Sequence, residues 1–222
     1  MKKRIFIIDD HPLLCAGLVS VITSEPDLAI SGQAHNIADA LLQMTVHPPD
    51  VAVVDLALPD GSGLELVKDL LARHPSVAVL VLSMHDEAHY IDRALRGGAR
   101  GYLTKSEAIH DLIPAIRTVL TGQRFLSPLL ALKLANAALD NGNRDGGTAE
   151  HLSDRELEVF ELLGRGCEIS QIATTYHLSL STVHTYCERM KQKFGVHTER
   201  ELLVAAVRWN EQQRQQPEPV KR

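Results

Sequence analysis

Three carboxylates carry the first chemical signal in this chain. Asp9 and Asp10 follow the apolar run IFII at residues 5–8, and Asp55 ends the run VAVV at 51–54. Short, continuously apolar runs of this kind read as strands buried on both faces. Pro59, Gly61 and Gly63 then punctuate a turn, and LELVKDLLARH follows with the apolar spacing of an amphipathic helix. A carboxylate is thus delivered to the carboxyl end of a parallel-type strand, where open α/β sheets place their ligands. Three carboxylates at one sheet edge repel each other, and a hard divalent cation such as Mg²⁺, which takes oxygen ligands, relieves the repulsion. Ser83 ends the run VAVLVLS, and Lys105 follows RGYLT. Asp9, Asp10, Asp55, Ser83 and Lys105 together suit phosphoryl transfer onto Asp55. Aspartate is a covalent phosphoryl acceptor; Mg²⁺ neutralises the incoming charge, and Lys105 adds a fixed positive one.

The elements that must position these groups alternate. Strands are expected at 4–8, 28–34, around 51–54, at 77–84 and at 100–105. Helices are expected at 11–24, 36–47, after Gly63, over 86–98 and over 107–122, with Gly97 and Gly98 ending the fourth. Five strand–helix alternations predict an α/β fold with a doubly wound, five-stranded parallel sheet, flavodoxin-like, because crossovers between parallel strands need helices. Residues 123–150 read as a linker, with one helical stretch after Pro128 and then NGNRDGGTAE, whose Gly, Asn and charge cannot bury a core.

A second, all-α domain is expected over 151–212. Ser153 and Glu156 form a capping box opening LSDRELEVFELLGRG, and ISQIATTYH gives a short second helix. After LSLS a third helix covers 182–194, with Ser181 as its N-cap and Gly195 beyond its end. Thr198 and Glu201 open a final helix to about Trp209. Short helices with a tight turn between the second and third predict a helix-turn-helix. Val183, Tyr186 or Cys187, Met190 and Phe194 form the inward stripe of the third helix. On its other face His184, Thr185 and Glu188 are candidates for base edges, and Arg189, Lys191 and Lys193 for phosphates, with Ser181 and Thr182 at its start. Residues 213–222 read as a disordered tail.

At this point two resemblances stand out. The order DD, VVDLALPDGSG, a strand-end serine and GYLTK resembles the receiver domain of bacterial two-component response regulators, over about residues 1–122. The second half resembles the LuxR-type helix-turn-helix, on Leu152-Ser153, Arg155-Glu156, Gly166, Ile172-Ala173, Leu178, Ser181-Thr182-Val183 and Lys193-Phe194-Gly195-Val196. The whole chain is similar to the NarL/FixJ class of response regulators. The resemblance implies a DNA-binding transcriptional regulator, not an enzyme, whose Asp55 is phosphorylated by a sensor histidine kinase. It implies Asp10 and Asp55 as direct Mg²⁺ ligands, Asp9 acting through water, and the carbonyl of Ala57 contributing. Ser83 and Tyr102 match the family's switch pair, in which the hydroxyl moves towards the phosphoryl group and the ring repacks inward. A homodimer on double-stranded DNA is expected once Asp55 is phosphorylated, with the final helix as its contact. There are departures. Ser106 follows Lys105 where many receivers carry proline, and His184 and Tyr186 stand where most relatives carry Lys and His. Glu188 stands where a basic or polar residue is usual.

Composition narrows the field. The 222 residues carry a formal net charge of −5, and residues 148–222 hold 10 Lys plus Arg against 11 Asp plus Glu. DNA binding therefore rests on a local motif rather than on bulk charge. The four apolar residues after Lys2, Lys3 and Arg4 are too few for a signal-peptide core, and no uninterrupted span would cross a bilayer. The three cysteines, Cys15, Cys167 and Cys187, are widely spaced and read as free thiols of a cytoplasmic protein with no membrane contact. His85 and His89 have the spacing of a zinc-protease helix, but Asp86 stands where its glutamate belongs. An aspartate-nucleophile phosphatase would carry an acid/base carboxylate two residues after Asp55, and Ala57 stands there.

Overall fold

The structure, a computed structural model, describes residues 2–140, 148–176 and 178–214. They form two compact units, one up to Asp140 and one from Thr148 onward. In the first unit β1 (Lys3–Ile8), α1 (Pro12–Thr23), β2 (Leu28–Ala34), α2 (Ile37–Val46) and β3 (Val51–Val54) come in strict alternation. A two-stranded ribbon follows, β4 (Ala57–Leu58) with β5 (Gly61–Ser62), and leads into α3 (Gly63–Arg73). Then come β6 (Ala78–Ser83), α4 (Ala88–Arg96), β7 (Gly101–Thr104), α5 (Ala108–Leu120), β8 (Phe125–Leu126) and α6 (Pro128–Asp140).

The main sheet runs β2-β1-β3-β6-β7-β8, parallel throughout. The chain reverses its winding between β1 and β3, which makes the crevice beyond their carboxyl ends the binding edge. Every residue of β3 and β6 is buried, because helices cover both faces. Alternate side chains serve opposite cores. Phe6, Ile8, Ala52, Val54 and Tyr102 enter one, and Ile5, Ile7, Val51, Val53 and Leu80 the other. This two-residue period fixes the register: a one-residue slip would exchange the two cores and carry Asp55 off the edge.

Three readings need correction in this unit. The sheet has a sixth strand, β8, paired with β7 through Gly101↔Phe125 and Tyr102↔Leu126. Two residues are too few to show a period. The fourth helix starts at Ala88 rather than near residue 86, because Glu87 is extended (φ −73°, ψ 139°). Finally, α6 packs into the first unit: Leu130 is fully buried in a core shared with Tyr90 and Tyr102, Leu134 lies against it, and Lys133 pairs with Asp86. Leu130 and Leu134 are spent on this core, while Leu129, Leu132 and Leu139 stay exposed. The NGNRDGG stretch lies outside the described residues.

The second unit is all helical. A 3₁₀ turn (Thr148–His151) precedes α7 (Asp154–Gly164), α8 (Ile169–Thr175), α9 (Leu180–Phe194) and α10 (Glu199–Arg214). The Ser153–Glu156 capping box is present in full. So are the bonds between Thr198 and Glu201 that open α10. The N-cap of α9 is Ser179, whose side chain accepts from Thr182 N at 3.0 Å, and not Ser181. Both serines of the turn can cap; Leu180 already has helical backbone, which puts Ser181 inside the first turn. Gly195 closes α9 in the left-handed region (φ 65°), where a side chain would be strained. α10 runs to Arg214, five residues past the expected end and into the stretch read as tail; residues 215–222 lie outside the described residues.

If α6 is a structural part of the first unit, Leu130→Ala must cost what a core leucine costs, about 2–5 kcal/mol. The denaturant midpoint of that unit would fall accordingly. A change under about 0.5 kcal/mol, as for an exposed position, would show α6 to be a loose connector.

Candidate functional site

Backbone pairing assembles the acidic edge before any side chain contributes. Ile8 and Val54 are partners at the ends of β1 and β3, and Asp55 N donates to Ile8 O at 2.9 Å. The next residues, Asp9 and Asp55, are therefore brought side by side, 2 % and 1 % exposed. On the other side, Lys105 N donates to Ser83 O at 2.7 Å, just past the Ser83↔Thr104 pair of β6 and β7. All five residues singled out for phosphoryl chemistry thus stand at or just beyond one sheet edge.

The side chains close over this frame. Lys105 Nζ lies 2.7 Å from Asp55 Oδ2 and 2.8 Å from Asp9 Oδ2, and the lysine side chain is only 8 % exposed. Asp55 Oδ1 accepts from Ala57 N at 3.3 Å. Burial pushes Asp55 up to about 6, with the nearby Asp9 charge acting in the same direction and Lys105 pulling it down. The ammonium of Lys105 is held above its ordinary range by the Asp55 and Asp9 carboxylates, against the opposing effect of burial.

The donor set fits a hard divalent cation. Carboxylate oxygens of Asp9, Asp10 and Asp55, with a nitrogen of His11, all lie within 4.8 Å of one another. Asp9 Oδ2 and Asp10 Oδ1 are buried, and their close neighbours are ionic: Lys105 Nζ at 2.8 Å and His11 Nδ1 at 2.7 Å. Carboxylate oxygens with lone-pair capacity to spare suit a small oxygen-seeking ion.

Ser83 and Tyr102 are both fully buried. Ser83 Oγ accepts from His85 N at 3.2 Å, and Tyr102 Oη donates to His85 O at 2.8 Å. The tyrosine ring is thus already inside, tied to the connection between β6 and α4, and burial raises its phenol far above the ordinary range. The free thiol of Cys15 donates to Asp9 O at 3.3 Å, and burial pushes it up to about 11.

Two residues of the site escaped the sequence reading, and a third, Gly63, was read only as a turn glycine. His11 Nδ1 sits 2.7 Å from Asp10 Oδ1 and 3.0 Å from Asp9 Oδ1; its place directly after two aspartates was the available signal. Asp60 accepts from the backbone N–H groups of Ile37 and Ala38 at 2.8 and 3.0 Å. It thereby caps α2 from the ribbon after Asp55, a long-range contact that spacing cannot reveal. Gly63 permits close approach: a Cβ there would meet Asp55 O at 2.2 Å.

In the second unit, Val183, Cys187 and Met190 of α9 are buried, and the Phe194 ring stacks on Phe160 at 4.7 Å. Tyr186 is half-buried. His184, Thr185, Glu188 and Arg189 are exposed on the other face. Two of the basic candidates have partners at home. Lys191 pairs with Glu188 at 2.7 Å, and Lys193 holds Glu156 and the carbonyl of His151. Thr185 Oγ1 donates to Ser181 O at 2.9 Å, and the Ser181 and Thr182 hydroxyls both meet Ser179 Oγ at 2.7 Å. His85 and Glu87 approach each other at 3.5 Å.

Known proteins supply the same two-part description. Residues 5–117 match the family described as response regulator receiver domain, and residues 150–206 match the bacterial regulatory proteins of the luxR family. The chain is 30 % identical over 210 residues to the oxygen regulatory protein NreC of Staphylococcus carnosus, spanning 92 % of this chain and 97 % of that protein. It is 33 % identical over 207 residues to the DNA-binding transcriptional activator DevR/DosR of Mycobacterium tuberculosis, spanning 91 % and 93 %. A solved structure of RcsB from Salmonella enterica serovar Typhimurium, bound to the promoter rprA with the phosphomimetic BeF₃⁻, superposes with a TM-score of 0.62 at 20 % identity, covering 93 % of this chain and 99 % of that one. A receiver fold with an acidic sheet edge, joined to a helix-turn-helix unit, defines a two-component response regulator. Within that group the chain belongs to the NarL/FixJ class: it is a transcription regulator with a LuxR-type DNA-binding domain. Receiver domains bind Mg²⁺ at this acidic pocket.

The burial of Asp55 has a sign that can be measured. Its folded value is raised, so the stability it contributes is present below about pH 4 and is lost as pH rises through 6. In chelator at pH 7.5, Asp55→Asn should therefore be more stable than wild type by about 1–3 kcal/mol, and the difference should vanish near pH 3.5. A difference independent of pH would break the account. Gly63→Ala should instead lose about 1–3 kcal/mol through overpacking, read as a lower midpoint of thermal unfolding.

Proposed function

We propose that Asp55 is the phosphoryl acceptor of this regulator and that a sensor histidine kinase is its donor. The carboxylate of Asp55 attacks phosphorus in line, an O–P bond forms, and the P–N bond to the donor imidazole breaks, its electron pair staying with the nitrogen. Lys105, already within 2.7 Å of the acceptor, meets the negative charge that the phosphoryl oxygens bring. Asp9, Asp10, Asp55 and the carbonyl of Ala57 would hold Mg²⁺, which neutralises the transferred group and sets its in-line orientation. The observation that carries this reading is the Asp9–Lys105–Asp55 bridge at the carboxyl ends of β1, β3 and β7.

The product adds a charge of about −1.5 to −2, which Ser83 would meet by turning its hydroxyl from His85 N. Because Tyr102 grips the same residue through His85 O, a shift of Ser83 is felt in the connection to α4. The output is a homodimer on duplex DNA, half-sites about 34–36 Å apart, with α9 in the major groove and His184, Thr185 and Glu188 facing base edges. The chain acts in the cytoplasm and turns over no substrate of its own, since Ala57 offers no acid/base group to release the product. As domains, the receiver runs through β8 and α6 and the DNA-binding unit from Thr148 to α10. Among the described residues no helix is long and apolar enough to cross a membrane.

Genomic DNA fragments retained with Mg²⁺ only when beryllofluoride is added would establish the switch. Equal retention without it would remove gating by the receiver. Labelling by a phosphorylated kinase should be lost in Asp55→Ala, and persistent labelling would move the acceptor elsewhere. Glu188→Gln frees Lys191 for phosphate, so affinity for DNA should rise and the slope of log K against log salt should steepen by about one. An unchanged slope would place Lys191 off the backbone.

A further inference from the structure

The turn that carries Lys105 departs from the Lys-Pro of many receivers, and its geometry shows what stands in place of the proline. Thr104, Lys105, Ser106 and Glu107 form a four-residue turn closed by Glu107 N donating to Thr104 O at 3.0 Å. The same two end residues are joined a second time in the opposite sense. Thr104 N donates to Glu107 Oε2 at 3.0 Å, and Thr104 Oγ1 donates to the same oxygen at 2.8 Å. Ser106 Oγ lies 2.9 Å from Thr104 Oγ1. A hydroxyl has one proton, and that of Thr104 is given to the carboxylate, so the Ser106 hydroxyl is the donor in this pair. Glu107 is the N-cap residue of α5 but does not cap it with its side chain, which turns back to Thr104 instead.

We infer that Glu107, acting through Thr104 and Ser106, is the positioning residue for Lys105. The inference rests on Asp55 being the acceptor. A lysine side chain has four torsions, so its ammonium finds one place only if its Cα is fixed and its surroundings are dry. A proline at 106 would fix φ near −65° within the turn. Serine does not, and the restraint here comes from three side-chain bonds converging on Thr104. The carboxylate bonds are charge-assisted and the stronger kind. The closed turn also delivers Lys105 N to Ser83 O, so one clasp holds the lysine against both the acceptor and the switch serine.

The test uses the full chain with Mg²⁺ and radiolabelled acetyl phosphate, following label on protein against donor concentration. Glu107→Ala should be labelled about tenfold more slowly at saturating donor with its half-saturating concentration unchanged, the pattern of a misplaced group. Glu107→Gln keeps the acceptor oxygen and should return to within about twofold of wild type. The ammonium resonance of Lys105 should shift in the alanine variant and return in the glutamine variant. If Glu107→Ala does not fold, Thr104→Val and Ser106→Ala each remove one member of the clasp and should slow labelling by a smaller factor. Wild-type rates in all folded variants, with only the melting temperature lowered, would make the clasp a helix-start device and overturn the inference. A glutamine variant as slow as alanine would overturn it too, by making charge rather than bonding the cause. Absence of label on the wild type would mean that the acceptor reading itself had failed.

Discussion

One buried ammonium holds together an edge that would otherwise come apart. Asp9 and Asp55 are neighbours because β1 and β3 are neighbours, and the sheet gives them no choice in the matter. Two like charges a few ångströms apart cost several kcal/mol at the effective dielectric of a protein, and Lys105 offsets part of that by touching both. The compensation is incomplete by design of the composition alone: with Asp10 the edge carries three carboxylates against one lysine. That deficit is what makes the pocket receptive to a divalent cation. It also separates this ion pair from an ordinary structural one, which would be balanced.

The parts of the fold legible in the sequence are those where one physical signal dominated. β1, β3 and β6 are flanked by helices on both faces, so their runs are apolar without interruption and cannot be mistaken for anything solvent-facing. Asp9, Asp10, Asp55 and Ser83 followed, since they stand at or just beyond the ends of those runs, and Lys105 closes the shorter run of β7 in the same way. Where two signals competed, the reading slipped. Ser179 and Ser181 are both good N-caps two residues apart, and only backbone geometry chooses between them. Phe125-Leu126 is too short to display a period. The leucines of α6 declared an apolar face without saying what covers it, and Leu130 turns out to belong to the same core as Tyr90 and Tyr102. Asp60 and Glu107 were invisible for another reason: each works by reaching a backbone group, and backbone groups leave no trace in a sequence.

The helix-turn-helix unit solves a different electrostatic problem. It is close to neutral, so it cannot rely on the long-range pull that most DNA-binding surfaces exert. Lys191 and Lys193 are engaged with Glu188 and Glu156 before any DNA arrives. On the proposed reading of α9, any phosphate contact these lysines make would be exchanged for an existing ion pair rather than simply gained. Such an exchange would lower affinity everywhere along a duplex and leave discrimination to the proposed base-edge side chains.

The chain contains a single tryptophan, Trp209, half-buried against the core of the second unit with its ring 5.9 Å from that of Phe160. The first unit has no indole at all. Intrinsic tryptophan emission is therefore a report from the DNA-binding unit alone, blind to events at Asp55 unless they are conveyed there. For a two-unit regulator this is a built-in optical separation: a change in emission on adding a phosphoryl mimic would register communication between the units, with no label attached to either.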